Sequence, residues 1–348
     1  MDRPKGGEWQ QFISDWQAAK SKKSFATKYG VSIKSIQNWV SEHKDDKVNY
    51  VPYHKFEIIK APLDLKRTEE DMVVVITDWH SGKKTESYDS EIERERAHYL
   101  IERILLIATL HQPIRRIHLL LLGDMVQGEN PYQGSKIGEV ECGAFEQIHD
   151  VAVPLVSLLC ESCLQVCNDV YAWGVPGNHG RYDKAMPVRT NWDNFFYEAL
   201  KNALIEQPKI HVTYSKTFYL LINILGYRFF IVHGDQVNAT QGIPLFAMRR
   251  KMQEWFAYLG GFNYAYAGHF HSEASDQVNS VADYTICPPL VTGDSWALEK
   301  VGRASAPVQL CFGVHEKRGR SWEYRLTTDE KYLPQRYTEH EGVIKIKG

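Results

Sequence analysis

Residues 72–82, MVVVITDWHSG, indicate the fold class of this chain of 348 residues. Its apolar, largely β-branched run predicts a buried strand, and an acid, a histidine and a glycine follow where that strand would end. Ligands of open α/β sheets bind beyond the carboxyl ends of the strands, so polar residues at these ends are expected to converge on one site. Four more stretches repeat the pattern: IHLLLLGD at 117–124, VYAWGVPGNHG at 170–180, FFIVHGD at 229–235 and NYAYAGHFH at 263–271.

The segments around these strands predict the rest of a layered α/β domain over residues 71–348. Ser90 and Glu93 have the spacing of a capping box, which predicts the start of a long helix. Leu225 and Gly226 separate two apolar runs and predict a hairpin. A second hairpin is expected around KRGR at 317–320.

The motifs D-x-H, GD, GNH, H and GHxH, taken in order over residues 78–271, resemble those of the calcineurin-like metallophosphoesterase superfamily. The resemblance implies a two-sheet αββα sandwich that hydrolyses phosphate esters with two divalent metal ions. It also implies that His179 lies over the scissile phosphate, as general acid or as charge stabiliser. The implied metal ligands are Asp78, His80 and His271 for one ion, Asn178, His233 and His269 for the other, and Asp124 as the bridge.

The residue types suit this chemistry, because imidazole and carboxylate groups bind Mn, Fe, Zn or Ni, and a carboxylate can bridge two ions. Mn²⁺ is the expected metal, with Fe, Zn, Ni or Mg as alternatives. Arg181 follows the GNH motif closely and is either a ligand for the substrate phosphate or an exposed structural arginine. His98, His111 and His118 lie inside predicted helices or strands and are expected to be structural.

The two motifs GDMVQGEN and GNHGRYD depart from the usual pattern of the superfamily. Other members often carry a further acid after GD, and nucleases among them commonly have GNHD. All the implied ligands remain in place here. The departures therefore leave the subfamily open and do not put hydrolysis in doubt.

Residues 1–45 differ from the rest and predict a small all-α domain, with residues 46–70 as a linker. Trp9, Phe12 and Trp16 recur at helical spacing. The following segment, KKSFATKYGVSIKSIQNWVSEH, predicts a helix ended by Gly30 and a second helix capped by Ser32. Ala26, Val31, Ile36 and Trp39 are expected to pack inward.

This segment resembles the helix-turn-helix of transposase-like DNA-binding modules, which implies that the second helix reads DNA. The residues expected to face the DNA are Lys34, Ser35, Gln37 and Asn38. The first 60 residues hold 11 basic and 7 acidic side chains, whereas the whole chain holds 41 and 43. A protein-docking module or a packing appendage is the alternative interpretation.

The six cysteines and the absence of a long apolar run predict a cytoplasmic protein without disulfides. Cys160, Cys163 and Cys167 share one helical face, for which a core position is expected rather than a metal site.

The helix-turn-helix favours a nuclease that hydrolyses phosphodiester bonds of DNA, similar to the SbcD-like exonuclease branch of the superfamily. That branch carries a DNA-capping region after its last histidine motif, but only 77 residues follow His271 here. Two alternatives stay open. One is a phosphatase or small-molecule phosphodiesterase with a protein-docking module, and the other is a DNA-binding regulator with a vestigial phosphoesterase domain.

Overall fold

The computed structural model describes residues 12–13, 15–17, 19–42, 69–129, 139–181, 187–238, 244–293 and 305–333. The chain divides into two compact units, residues 1–55 and 56–348. Trp9 and most of the linker expected at 46–70 lie outside the described residues, so the domain bounds drawn from the sequence stay predictions.

The first unit contains helices α1 (Lys22–Tyr29) and α2 (Ile33–Glu42). Gly30 ends α1 in the left-handed conformation, with φ of 69°, and the Ser32 hydroxyl accepts the amide hydrogen of Ser35 at the start of α2. Both local predictions are confirmed. Four buried side chains form the core of this unit: Phe12, Trp16, Ala26 and Ile36.

The second unit contains two β-sheets. Six strands form the first sheet, in the order β11-β10-β1-β2-β3-β4. Strands β1 to β4 are mutually parallel, whereas β10 and β11 join as an antiparallel hairpin. The bounds are β1 Glu70–Ile76, β2 Ile114–Leu121, β3 Asp169–Gly174, β4 Ile210–Tyr214, β10 Val308–His315 and β11 Gly319–Thr327.

The second sheet has five strands in the order β5-β6-β7-β9-β8. Strands β6, β7 and β9 are parallel, and antiparallel β5 and β8 flank them. Leu225 and Gly226 form the two-residue turn between β5 and β6, both with positive φ, so the hairpin expected there is confirmed. The bounds are β5 Tyr219–Ile224, β6 Tyr227–Val232, β7 Tyr264–Ala267, β8 Ala274–Asn279 and β9 Ala282–Ile286.

Helices cover the outer faces of the two sheets, and the expected αββα layering is confirmed. One apolar core lies between the first sheet and its helices, a second between the sheets, and a third under the helix of the second sheet. Strand β1 is buried along its whole length, as an apolar run covered on both faces must be. The helices are α3 (Ser90–Leu110), α4 (Val153–Cys163), α5 (Trp192–Ala203) and α6 (Leu245–Tyr258).

The capping box expected at Ser90 and Glu93 is wrong. Asp89 caps α3 instead, because its carboxylate accepts the amide hydrogens of Glu91 and Ile92. Ser90 donates its hydroxyl to Glu141, and Glu93 is buried against Ser81. A carboxylate in the correct backbone conformation one residue earlier therefore replaces the serine cap.

The cysteines and histidines that were expected to be structural make packing or hydrogen-bond contacts away from the metal centre. Cys160 and Cys163 are buried in the core beneath the first sheet, and all six cysteines are free thiols. His118 lies beside Asp71 and accepts the indole hydrogen of Trp173, and His111 stacks on Trp322. In the part of the chain that the structure describes, none of the helices combines the length and apolar character that crossing a bilayer requires.

Candidate metal centre

The polar clusters that follow β1, β2, β3, β6 and β7 come together at the carboxyl ends of these strands. Asp78 and His80 follow β1, and Asp124 follows β2. Asn178 and His179 follow β3, His233 follows β6, and His269 and His271 follow β7. Both sheets therefore contribute side chains to one centre, and Asp78, His80 and His233 are completely buried in it.

The backbone is unusual at five of the seven predicted ligands. Positive φ angles between 47° and 69° occur at Asp78, His80, Asp124, His269 and His271. Such angles disfavour any residue with a Cβ atom and persist where the surrounding structure enforces them, typically at functional sites. Here the enforcement is visible, because the amide of Asp78 donates to Gly123 and the amide of His80 donates to Asp124.

Asp78, His80 and His271 form the first group of side chains that could hold an ion. The Nε2 atoms of His80 and His271 are 3.1 Å apart, and Asp78 Oδ1 lies 3.4 Å from His271 Nε2. His80 Nδ1 is 2.9 Å from the amide oxygen of Gln127, so Nδ1 carries the hydrogen and Nε2 presents its lone pair to the group. Burial lowers the pKa of His80 well below its ordinary value, which keeps the ring neutral.

Asp124, His233 and His269 form a second group. The carbonyl oxygen of Leu122 accepts the Nδ1 hydrogen of His233 at 2.8 Å. His233 Nε2 therefore faces Asp124 Oδ2 and Asn178 Oδ1, each at 3.0 Å. Burial, followed by the charge of His233, lowers the pKa of His269 to about 4, so this ring is neutral as well.

The donor set fits divalent metal ions. Lone pairs of imidazole, carboxylate and amide groups point at one another within hydrogen-bonding distance, and only a cation or a proton can satisfy them together. Burial alone would lower the pKa of His233, but the negative charge of Asp124 raises it to about 10. The protein environment thus demands positive charge at this point, and neutral imidazole with carboxylate is the ligand chemistry of Mn, Fe, Zn and Ni.

His179 lies beside both groups. Its amide donates to Asp124 Oδ1 at 2.8 Å, and its ring lies edge-on to that of His80 with centroids 4.4 Å apart. Burial, reinforced by the positive charge of Lys83, lowers the pKa of His179 to about 4. With His80 and Asp124 it also forms a third group that could hold an ion, so the position permits either the predicted catalytic role or ligation.

Arg181 forms an ion pair with Asp235, with 2.6 Å between Nη2 and Oδ2. The pair joins the loop that carries Asn178 and His179 to the loop that carries His233. The phosphate contact expected of Arg181 stays a prediction, because the structure gives the guanidinium a protein partner.

Several residues that shape the centre were missed in the sequence. Asp193, near the start of α5, accepts the amide hydrogens of Asp124, Met125 and Gly177 at 2.9, 3.0 and 2.7 Å. It thereby holds the loops after β2 and β3 in place. Gln127 orients His80, and Lys83 is a buried cation nearby. The one sequence signal for Asp193 was its place after a capping asparagine, Asn191, at the start of a helix.

The residues expected to contact DNA lie on α2 of the first unit. Lys34, Gln37 and Asn38 are exposed, and Ser35 is half-buried with its hydroxyl 2.9 Å from that of Ser32. DNA contact by these residues stays a prediction.

No protein-family model matches the chain, and no curated protein matches it. It is similar to solved structures. Vacuolar protein sorting 29 from Cryptosporidium parvum is 13% identical over 71% of this chain and 86% of that one, with a TM-score of 0.35. A predicted phosphoesterase from Streptococcus pneumoniae is 10% identical over 74% and 99%, with a TM-score of 0.31.

A 5′-nucleotidase from Candida albicans is 11% identical over 76% of this chain and 53% of that one, with a TM-score of 0.35. At such low identities and TM-scores, these likenesses carry no argument about function.

Proposed function

We propose that this chain is a metal-dependent phosphoesterase that holds two divalent ions at the carboxyl ends of β1, β2, β3, β6 and β7. Mn²⁺ is the expected metal. The observation that carries the proposal is the meeting of seven ligand-type side chains from both sheets around the shared carboxylate of Asp124. Asp124 belongs to two of the groups that could hold an ion, one with His233 and His269 and one with His80 and His179. Its carboxylate therefore lies beside ligands of both proposed ions, which suits a bridging role.

When bound, a pair of divalent ions supplies Lewis-acid stabilisation of phosphoryl oxygens and an activated water for in-line displacement. The chain's own residues prepare for this. Gln127 and the Leu122 carbonyl fix the imidazole orientations of His80 and His233. His179 can donate a ring N–H to the leaving oxygen, and the buried Lys83 adds positive charge close to His80 and His179.

The finer proposal is a nuclease that acts on phosphodiester bonds of DNA. Its support is the first unit, whose α2 exposes Lys34, Gln37 and Asn38, residue types that contact phosphates and base edges. A smaller phosphodiester or a phosphomonoester is the competing substrate class. It would fit if this unit docks a protein.

Metal content is the first test. Full-length protein loaded with Mn²⁺ and analysed for metal should hold two ions per chain, and Asp124→Ala should lose both because the carboxylate serves both sites. Asp150→Ala, at an exposed acid on the surface, is the matched control and should keep both. Wild-type protein that retains no ion would contradict the proposal and favour a regulator with a vestigial site.

Substrate class is the second test. The loaded protein is offered single-stranded DNA, duplex DNA, methyl p-nitrophenyl phosphate and p-nitrophenyl phosphate. The proposal expects cleavage of DNA and of the synthetic diester. Hydrolysis of the monoester alone would identify a phosphatase and overturn the nuclease assignment while leaving the metal centre in place.

A further inference from the structure

A groove of about 460 Å³ lies between the loop of residues 236–238 and one side of α6. Its volume is in the range of small-ligand sites. On the helix it is lined by Phe246, Arg250 and Glu254, which recur at i, i+4 and i+8 and therefore share one side, and by Lys251 next to them. The opposite side of α6 packs Met248, Met252 and Trp255 into the core.

The loop that lines the groove begins at a predicted metal ligand. Gln236 is three positions after His233, a span of at most roughly 11 Å even for extended chain. The chain is in fact turned, since the amide of Val237 donates to the carbonyl oxygen of Gly234 at 3.0 Å. The Gln236 end of the groove therefore lies within roughly 11 Å of His233 along the backbone.

The lining is chemically specific. Phe246 leaves 78% of its surface exposed and offers a ring face. Gln236 donates its amide hydrogen to Asp235, but its Oε1 has no hydrogen-bond partner among the residues that the structure describes. A buried acceptor without a partner is costly, and a donor on a ligand would satisfy it.

Two cationic side chains, Arg250 and Lys251, complete the groove, and both form ion pairs with one carboxylate. Glu254 pairs with Arg250 Nε at 3.3 Å and with Lys251 Nζ at 3.0 Å. Exposed pairs of this kind are weak, so a phosphate can replace the carboxylate. A flat ring face, an amide acceptor and two cations together match a nucleoside phosphate better than an apolar or a neutral ligand.

We propose that the groove is a subsite for the nucleoside phosphate that adjoins the scissile bond. Its base stacks on Phe246, a base N–H donates to Gln236, and a flanking phosphate contacts Arg250 and Lys251. This inference rests on the proposed phosphoesterase function and specifies its substrate class.

Two esters with the same leaving group test the subsite: methyl p-nitrophenyl phosphate, which has no nucleoside, and the p-nitrophenyl ester of thymidine 5′-phosphate. The wild type should prefer the nucleoside ester. Phe246→Ala should lower kcat/KM for that ester by roughly tenfold through KM, which is the loss expected for one base-stacking contact, and leave the methyl ester unchanged. Phe246→Tyr should restore the preference.

Two further variants sharpen the test. Tyr258→Ala removes another exposed aromatic side chain of α6 that does not line the groove, and it should change neither ester. Glu254→Gln frees the two cations and should lower KM for the nucleoside ester by roughly two- to fivefold. Equal kcat/KM for the two esters in the wild type, or equal losses on both in Phe246→Ala, would overturn the subsite.

Calorimetry with thymidine 5′-monophosphate separates this failure from failure of the proposed function. If neither ester is hydrolysed but the nucleotide binds and Phe246→Ala weakens it, the groove stands and the catalytic proposal falls. An oligothymidylate arm identifies the source of the ligand. If the oligothymidylate binds more tightly than the mononucleotide and Arg250→Ala abolishes this difference, the ligand is a nucleic-acid strand. Equal affinity for the two indicates a free nucleotide.

Discussion

At the scale of single residues, His179 has two possible roles, as a metal ligand or as a catalytic residue. It touches Asp124 through its backbone amide and His80 through its ring, so its geometry alone permits both roles. If it acts on the leaving group, His179→Ala should lower turnover by about 10²–10⁴-fold while metal content stays near that of the wild type. Metal analysis beside the rate measurement decides the matter, since simultaneous loss of an ion would make His179 a ligand.

Glu93 is a second residue with a measurable signature. It is completely buried, its Oε2 has no hydrogen-bond partner within the described part of the chain, and burial raises its pKa to about 8 from an ordinary 4.5. The folded protein therefore holds this proton up to about pH 8, whereas the unfolded chain releases it near pH 4.5. Its contribution to the free energy of unfolding must fall as the pH rises between those values.

Glu93→Gln removes this titration and keeps an acceptor for Ser81. The melting temperature of the variant relative to wild type should therefore increase from pH 5 to pH 8. Glu91→Gln, at an exposed position of the same helix, should show no such trend. Parallel melting curves for wild type and Glu93→Gln over this range would show that Glu93 does not hold the proton.

At the scale of elements, a side chain at the start of α5 holds the backbone of two loops that carry predicted metal ligands. Asp193 accepts three amide hydrogens from the loops after β2 and β3, so one side chain fixes the backbone at Asp124 and next to Asn178. Asp193→Ala should weaken Mn²⁺ affinity by about 10- to 100-fold, as for other supporting partners of metal ligands. Metal titration should show no loss in Glu198→Ala, an exposed position on α5. Unchanged affinity in a folded Asp193→Ala would contradict the supporting role.

At the scale of the whole molecule, the first unit is predicted to bind DNA and the second to hydrolyse the phosphodiester bond. Deleting residues 1–45 should weaken DNA binding and make its salt dependence shallower, because phosphate contacts release counterions. Hydrolysis of methyl p-nitrophenyl phosphate should hardly change, since the metal centre lies in the second unit. The triple variant Lys34→Ala, Gln37→Ala and Asn38→Ala should reproduce much of the effect without unfolding, as all three are exposed. Identical affinity and salt slope with and without the unit would remove the main support for a DNA substrate.

Local patterns in the amino-acid sequence were enough to predict the layered α/β fold and the polar side chains that stand at the strand ends. Apolar runs such as 72–76 form strands, and the polar residues after them stand at strand ends. Parallel order brings the ends of β1, β2 and β3 to one edge of the first sheet, whereas the superfamily resemblance alone implied that the residues after β6 and β7 join them from a second sheet. Gly30 and the Leu225–Gly226 turn were equally local, because each depends on a few neighbouring dihedral angles.

The contacts that orient those side chains come from parts of the chain that are far apart in sequence. Asp193 is 69 residues from Asp124, and Gln127 is 47 residues from His80, so no local pattern could pair them. The Arg181–Asp235 ion pair and the groove beside α6 likewise depend on how separate loops pack. The cap of α3 was mispredicted for a related reason. Asp89 and Ser90 are both residue types that cap helices, and the backbone conformation, which the sequence does not show, determines that Asp89 is the cap. Strand ends follow from periodicity along the chain, whereas the hydrogen bonds that position a ligand depend on distances that arise only when the chain packs.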